Sequence, residues 1–280
     1  MDINFPVSFT KMNGAGNDFI FIDHRHTFLD QEQKAEMARK ICRRCFSVGA
    51  DGLIFIENSE QADFAWDFYN ADGSAAGMCG NGGRCAARYA YHKGITGPKM
   101  SFATRAGLIK AEVLDDGNVR LEMTNPCDFR KGKPVKLGGI YYEVWFVDTG
   151  VPHAVIFTEN EGVPVGIWGR QVRNEDQFKP HGANVSFVAK RADGSFRSRT
   201  YERGVEDETR ACGTGAAASA LYAAIKGLAE PPVNIITSGG DLLEVSFDLC
   251  GDGLGAENLT MKGPARFVYE GILTEEILNL

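Results

Sequence analysis

The sequence has no long basic run. Its 280 residues carry 30 Lys and Arg against 37 Asp and Glu, a net charge of −7 at pH 7. The electrostatic footprint that nucleic-acid binding requires is therefore missing, and a small molecule is the expected partner. No apolar run approaches the roughly 20 residues needed to span a bilayer, so no membrane association is expected. The opening MDINFPVSFTKMNG lacks a basic segment followed by an apolar core, which points to a cytoplasmic protein. Without a secretion signal, seven cysteines, an odd number, predict reduced thiols rather than a disulfide framework. Cys42 and Cys45 form a C-x-x-C one helical turn apart, but no second pair stands at zinc spacing, so no metal is expected. Cys85, Cys127 and Cys250 read as packing residues. A low-complexity linker is absent too. Apolar residues, by contrast, make up 44% of the chain, ample for a packed core, and the length suits one large or two ordinary domains.

The stretch MCGNGGRCAARYAYHKG at residues 78–94 returns 133 residues later as ACGTGAAASALYAAIKG at residues 211–227. Aligning 79–94 with 212–227 needs no gap, and eight of the sixteen positions are identical. Alanine-rich sequence ending in Lys-Gly reads as a helix with a cationic last turn and a glycine stop, which puts each cysteine at a helix N-terminus. Upstream of each copy lies a strand-like segment, FAWDFYN and FRSRTYER, with nine residues from Asn70 to Cys79 and nine from Arg203 to Cys212. Downstream, SFATRAGLIKAEV and NIITSGGDLLEVSF each read as strand, glycine turn, strand. A period near 133 is the duplication of a whole half, far longer than a solenoid repeat. The predicted fold is α+β: two similar, pseudo-twofold-related halves, rich in strands such as NDFIFID, ADGLIFIEN, YYEVWFV and NVSFVAK. The one remaining helix is DQEQKAEMARKICRR, capped by Asp30. The halves are expected to meet near residues 124–132.

A helix N-terminus favours anions. It lowers the pKa of a thiol placed there and binds carboxylate through its free N–H groups. Under a pseudo-twofold, two such ends face one ligand. A carboxylate held there presents its adjacent Cα–H to a cysteine on each side, so one thiolate removes the proton while the opposite thiol delivers another. The N–H groups meet the enolate-like charge that develops. That chemistry inverts a stereocentre with no cofactor. The segment GTGAAA after Cys212 formally fits a dinucleotide fingerprint, but the polar VEDETRA before it is no buried strand.

NADGSAAGMCGNGGRCAARY and ERGVEDETRACGTGAA closely resemble the two active-cysteine motifs of the diaminopimelate epimerases, and KMNGAGNDFIFID, TGVPHAV and ANVSFV resemble its other signature segments, in the family order. The resemblance covers nearly the whole chain. It implies two α+β halves, each a strongly curved sheet wrapped on a central helix. Residues 1–125, joined by the C-terminal strand 266–280, would carry Cys79, and residues 126–265 would carry Cys212. It implies cofactor-independent interconversion of L,L- and meso-diaminopimelate, with Cys79 and Cys212 as the acid/base pair. Gly80, Asn81, Gly213 and Thr214 would hold the reacting carboxylate. Asn17, Asn70, Asn184, Glu202 and Arg203 would grip the rest, Arg203 as a buried clamp on the second carboxylate. His153 and Glu202 would tune the thiols. The strand ARFVYEG would form a homodimer with Tyr269 at the contact. Where some members carry glutamine and asparagine, this chain has Gly52 and Val151. The neighbouring reading is a two-cysteine proline or hydroxyproline racemase. A phenazine-type isomerase lacks the paired thiols, and the non-enzymatic reading is an amino-acid-binding protein without turnover.

Overall fold

The computed structural model describes residues 5–251 and 255–279. The chain forms two compact units, Met1–Leu121 with Pro264–Leu280, and Glu122–Gly263. The elements of the first unit are β1 (Val7–Gly14), β2 (Asn17–Asp23), α1 (Gln31–Ile41), β3 (Gly52–Glu57), β4 (Phe64–Asn70), β5 (Ala75–Ala76), α2 (Gly80–His92), β6 (Lys99–Thr104), β7 (Gly107–Val113) and β8 (Val119–Glu122). In the second come β9 (Cys127–Lys131), β10 (Val135–Leu137), β11 (Ile140–Tyr142), β12 (Trp145–Asp148), β13 (Pro152–Thr158), α3 (Val165–Arg173), β14 (Asn184–Lys190) and β15 (Phe196–Glu202). They continue with β16 (Asp207–Glu208), α4 (Gly213–Ile225), β17 (Val233–Thr237), β18 (Leu242–Leu249) and β19 (Ala256–Gly263), and β20 (Arg266–Leu273) returns to the first unit.

The two units share one topology. In the first, the order is β20, β1, β2, β3, β4, then β5 and β6 on the same edge of β4, then β7 and β8. In the second it is β9, β12, β13, β14, β15, then β16 and β17 on the same edge of β15, then β18 and β19. Parallel pairs fall at matching steps, β2 with β3 and β4 with β6, β13 with β14 and β15 with β17. Among the described strands, the hairpin β10–β11 has no counterpart in the first unit.

Covering both faces of the sheet explains why its inner strands are apolar throughout rather than alternating. In the first unit Phe19, Phe21, Ile54, Trp66 and Phe68 pack with Cys85, Ala86 and Tyr89 of α2, while Ile20, Ile22, Leu53 and Phe55 pack with Met37, Ala38 and Ile41 of α1. The second unit uses α3 in the same way, its Val165 and Val172 packing with Ala154, Ile156, Val185 and Phe187.

Local signals set the helix ends. Asp30 caps α1 in a capping box, its side chain accepting from Gln33 N while Gln33 answers to the Asp30 N–H. The repeated helices end alike, at Lys93 and Lys226, each followed by a glycine with φ +67°. Ile95 N donates to Ala90 O at 2.9 Å and Leu228 N to Ala223 O at 2.8 Å, the bond pattern of a Schellman stop. Two expectations change. YYEVWFV is not one strand: it breaks between β11 and β12, which pair in different sheets. A helix that propensity conceals, α3, forms from VGIWGRQVR despite two glycines. Its slot matches that of α1, and tertiary packing of Val165 and Val172 outweighs the weak local preference.

Candidate active site

Cys79 and Cys212 occupy the same structural position in their units, the residue before the first helical one. Both backbones are extended there, with φ, ψ of −144°, 118° and −120°, 107°. Neither side chain caps its helix as Ser or Asp would. The first residues to bond back are Gly83, to Cys79 O at 2.8 Å, and Ala216, to Cys212 O at 2.9 Å. The N–H groups of Gly80 and Asn81, and of Gly213 and Thr214, belong to the first turn, which a helix leaves without intrahelical acceptors. Two dipole ends with open donors are anion sites in waiting.

The sheet faces beneath the two helices differ in chemistry. Gly82 of α2 lies against Phe19, Ile54 and Trp66, and Gly215 of α4 against His153, Ser186 and Thr200. Strand register makes these matching faces, since Phe19 pairs with Gly52 as His153 pairs with Asn184. In the second unit the face is a buried polar network. His153 Nε2 meets Thr214 Oγ1 at 2.9 Å and Asn184 Nδ2 at 3.4 Å, and its Nδ1 meets Ser186 Oγ at 3.4 Å, which continues to Thr200 Oγ1 at 3.0 Å. Because the Asn184 amide nitrogen only donates, Nε2 is the acceptor and Nδ1 carries the hydrogen. Burial, aided by the charge of Arg203, pushes the His153 pKa down to about 3, so the ring is neutral.

Cys212 lies 3.5 Å from Thr214 Oγ1 and shares a hydrogen bond with the Glu202 carboxyl. The expectation of a lowered thiol fails here. Burial first, and then the Glu202 charge, push the Cys212 pKa well above the usual thiol value, outweighing the Thr214 hydroxyl and Gly215 N–H that favour the thiolate. Desolvation likewise raises Glu202, against the pull of the Thr209 hydroxyl that donates to its Oε1 at 2.5 Å. The thiol of Cys212 therefore keeps its proton, and this half rests as an acid.

In the first unit the polar chain comes through the helix itself. Asn81 Nδ2 donates to Asn17 Oδ1 at 2.6 Å, Asn17 Nδ2 donates to Asp51 Oδ2 at 2.9 Å, and Arg84 Nη2 donates to Asn81 Oδ1 at 2.6 Å. Thus Asn17, Asn81 and Cys79 gather in one unit, and Cys212, Thr214, His153, Asn184 and Glu202 in the other. Asn70 is exposed at the end of β4, its amide on Ser74 Oγ at 3.0 Å. Arg203 departs from expectation. Its side chain is exposed rather than buried and donates to His181 O at 3.0 Å, while its backbone N–H donates to Asn184 Oδ1 at 2.8 Å. Counting back nine residues pairs Arg203 with Asn70, but the ladder places Tyr201 opposite Val185 as Tyr69 stands opposite Leu53, so Glu202 is the counterpart of Asn70. The second hairpin holds one more residue, Tyr201 facing Glu208 where Tyr69 faces Ala75. By the same register Gly52 corresponds to Asn184 and Val151 to Asn17, so each unit carries a polar side chain where the other does not. A Cβ at Gly52 would stand 2.5 Å from Phe68 Cε2, so the packing there admits only glycine. Sequence reasoning missed Asp51, Arg84, Ser186, Thr200 and Thr209. The signal for Ser186 and Thr200 was polar residues at inward positions of NVSFVAK and FRSRTYE; for Arg84 it was the i, i+3 step from Asn81.

A model of the family described as diaminopimelate epimerase matches residues 9–128 and 145–268. The chain belongs to the diaminopimelate epimerase family. A diaminopimelate epimerase of Hydrogenobaculum sp. (strain Y04AAS1) is 44% identical over 280 residues, covering 96% of this chain and 99% of that protein. One from Aquifex aeolicus (strain VF5) is 43% identical over 286 residues, covering 98% and 100%. Among solved structures, a phenazine biosynthesis protein of the PhzF family from Bacillus anthracis is similar with a TM-score of 0.76 at 15% identity, over 97% of this chain and 100% of that one. A probable proline racemase from Agrobacterium radiobacter K84 gives 0.68 at 16% identity, over 96% and 93%. The two structures share the diaminopimelate epimerase-like fold, and the racemase reading has only that structural likeness behind it. An epimerase is an isomerase, and membership makes this chain one. Among the described residues, no helix is long and apolar enough to cross a membrane.

Proposed function

We propose that the protein interconverts L,L- and meso-diaminopimelate, supplying the meso isomer for lysine and cell-wall precursors, and that Cys79 and Cys212 are its acid/base pair. The observation that carries this is the placement of both cysteines at the N-caps of topologically equivalent helices, whose first-turn N–H groups a helix leaves without intrahelical acceptors. The substrate's reacting carboxylate lies on the N–H groups of Gly80, Asn81, Gly213 and Thr214, which acidifies the adjacent Cα–H and receives the charge as the proton leaves. One sulfur takes that proton and the other returns one to the opposite face, so the stereocentre inverts without pyridoxal phosphate or metal. Cys212, held protonated by burial and Glu202, is the donor in the resting enzyme. Asn17, Asn70, Asn184, Glu202 and Arg203 bind the remainder of the amino acid.

The enzyme acts in the cytoplasm as a homodimer on this reading. Among the described strands of its unit β20 pairs with β1 alone, and its Val268, Tyr269 and Ile272 are exposed, so this edge strand offers both backbone and apolar side chains to a second copy. Incubation of purified protein with L,L-diaminopimelate and, separately, with L-proline tests the reading. Loss of optical rotation with diaminopimelate alone is expected, and loss with proline alone would transfer the protein to the racemases.

A further inference from the structure

Asn17, Asn81 and their two neighbours form a row of side chains with a charge at each end. At one end Arg84, fully buried, donates from Nη2 to Asn81 Oδ1 at 2.6 Å and from Nε to Pro264 O at 3.2 Å. At the other end Asp51 Oδ2 accepts from Asn17 Nδ2 at 2.9 Å and from Asp18 N at 3.2 Å, while its Oδ1 accepts from Arg44 Nη2 at 2.8 Å. A guanidinium can only donate and a carboxylate only accept. The oxygen of Asn81 must therefore face Arg84, its NH2 must face the oxygen of Asn17, and the NH2 of Asn17 must face Asp51. Reversing either amide alone would set two carbonyls or two NH2 groups against each other, and reversing both would turn a carbonyl toward a carboxylate and an NH2 toward a guanidinium. The amide orientations are thus assigned by their end partners, not by chance.

We propose that Asp51 and Arg84 are positioning residues that lock the Asn17 and Asn81 amides in a single orientation, so that this half of the site meets its ligand with a donor, suited to a carboxylate. Asn17 Nδ2 keeps one N–H beyond the Asp51 bond, and in the reversed orientation an oxygen would stand there and repel an anion. Asn81 is the second residue of α2, and its side chain is anchored on both sides. Aligned amides between opposite charges polarise one another in the same sense. The second unit has no such row, since Ala217 stands where the repeat places Arg84 and Val151 where it places Asn17. The row between two opposite charges is therefore found in one half only, the Asn184 amide of the other being oriented by the Arg203 backbone N–H and His153.

The lock rests on the reading that Asn17 and Asn81 bind substrate, and two measurements separate the two ideas. In Asp51→Asn and in Arg84→Met the KM for L,L-diaminopimelate should rise about tenfold with kcat within about threefold of wild type, because contacts made alike in ground and transition states move KM. Arg84→Lys, which keeps a buried cationic donor, should restore most of the affinity. Side-chain amide spectra of 15N-labelled protein without substrate supply the second readout. Arg84→Met, or Arg84→Lys if the first does not fold, should shift the Asn17 NH2 resonances although Arg84 does not touch Asn17. Asp51→Asn should likewise shift those of Asn81. A fall in thermal stability with KM and the remote resonances unchanged would overturn the lock and leave a merely structural arginine. A wild-type protein inert toward diaminopimelate would sink the function instead, while the remote shifts would still decide the lock.

Discussion

His153 shows how one residue ties the site to folding. Its pKa of about 3 lies below the ordinary histidine value of 6.5, with burial as the main cause. A base whose folded pKa is depressed stabilises the fold fully above the unfolded pKa and loses that contribution as pH falls toward the folded one. A tenfold change in proton affinity is worth about 1.4 kcal/mol, so protonating this buried ring costs about 5 kcal/mol between pH 6.5 and 3. Denaturant melts at stepped pH should show that loss. In His153→Phe, which installs the residue found at the matching position of the first unit, the acid side of the profile should flatten; an unchanged slope would remove His153 as its cause. Glu202 and Cys212 make a second test at this scale. Since the carboxylate is the largest charge raising the thiol, Glu202→Gln should move the alkylation profile of Cys212 by iodoacetamide to lower pH.

At the scale of elements, the two cysteine helices sit on their sheets through a glycine. A Cβ on Gly215 would come 2.7 Å from Thr200 Oγ1 and 2.9 Å from Ser186 Oγ, so Gly215→Ala must push α4 off the polar network. We expect about 1–3 kcal/mol of destabilisation, the usual cost of overpacking, and loss of activity. Gly80, one residue after Cys79, has nothing within 4 Å of such a Cβ, and Gly80→Ala should melt within a few degrees of wild type. Equal melting temperatures for both variants would contradict this packing. The same helices were legible in the sequence because their signals are local and doubled: alanine content, Lys-Gly stops, and a repeated cysteine. Strands such as β2, β3, β13 and β14 were legible as apolar runs. What escaped depends on contacts between distant segments. Propensity hides α3, whose glycines are tolerated because Gly169 lies against Tyr201, leaving no room for a side chain. Register, which moves Asn70 from Arg203 to Glu202, depends on a one-residue difference in a hairpin. The raised thiol of Cys212 was hidden for the same reason, because a helix dipole is read from sequence and burial is not.

For the molecule as a whole, one strand order used twice gives two equivalent helix ends, and the chemistry underneath makes them unequal. The apolar face of Phe19, Ile54 and Trp66 in one unit becomes His153, Ser186 and Ser198 in the other. Assembly adds a prediction: sedimentation should find a dimer, and Tyr269→Ala, which also removes the ring packed edge-on to Phe9 at 5.9 Å, should weaken it. A wild-type monomer at working concentration would end that proposal. The central claim is that Cys79 and Cys212 exchange protons with opposite faces of one α-carbon, and hydrogen exchange in 2H2O tests it most directly. With L,L-diaminopimelate, NMR at early times should show deuterium at the inverted centre of the meso product while the remaining L,L isomer keeps its Cα–H, because the sulfur that removes a proton is not the one that returns it. Cys79→Ala and Cys212→Ala should each fold, by circular dichroism, and turn over less than a few percent of substrate. Retention of Cα–H in the wild-type product, or inversion that survives in either folded alanine variant, would contradict the two-thiol account.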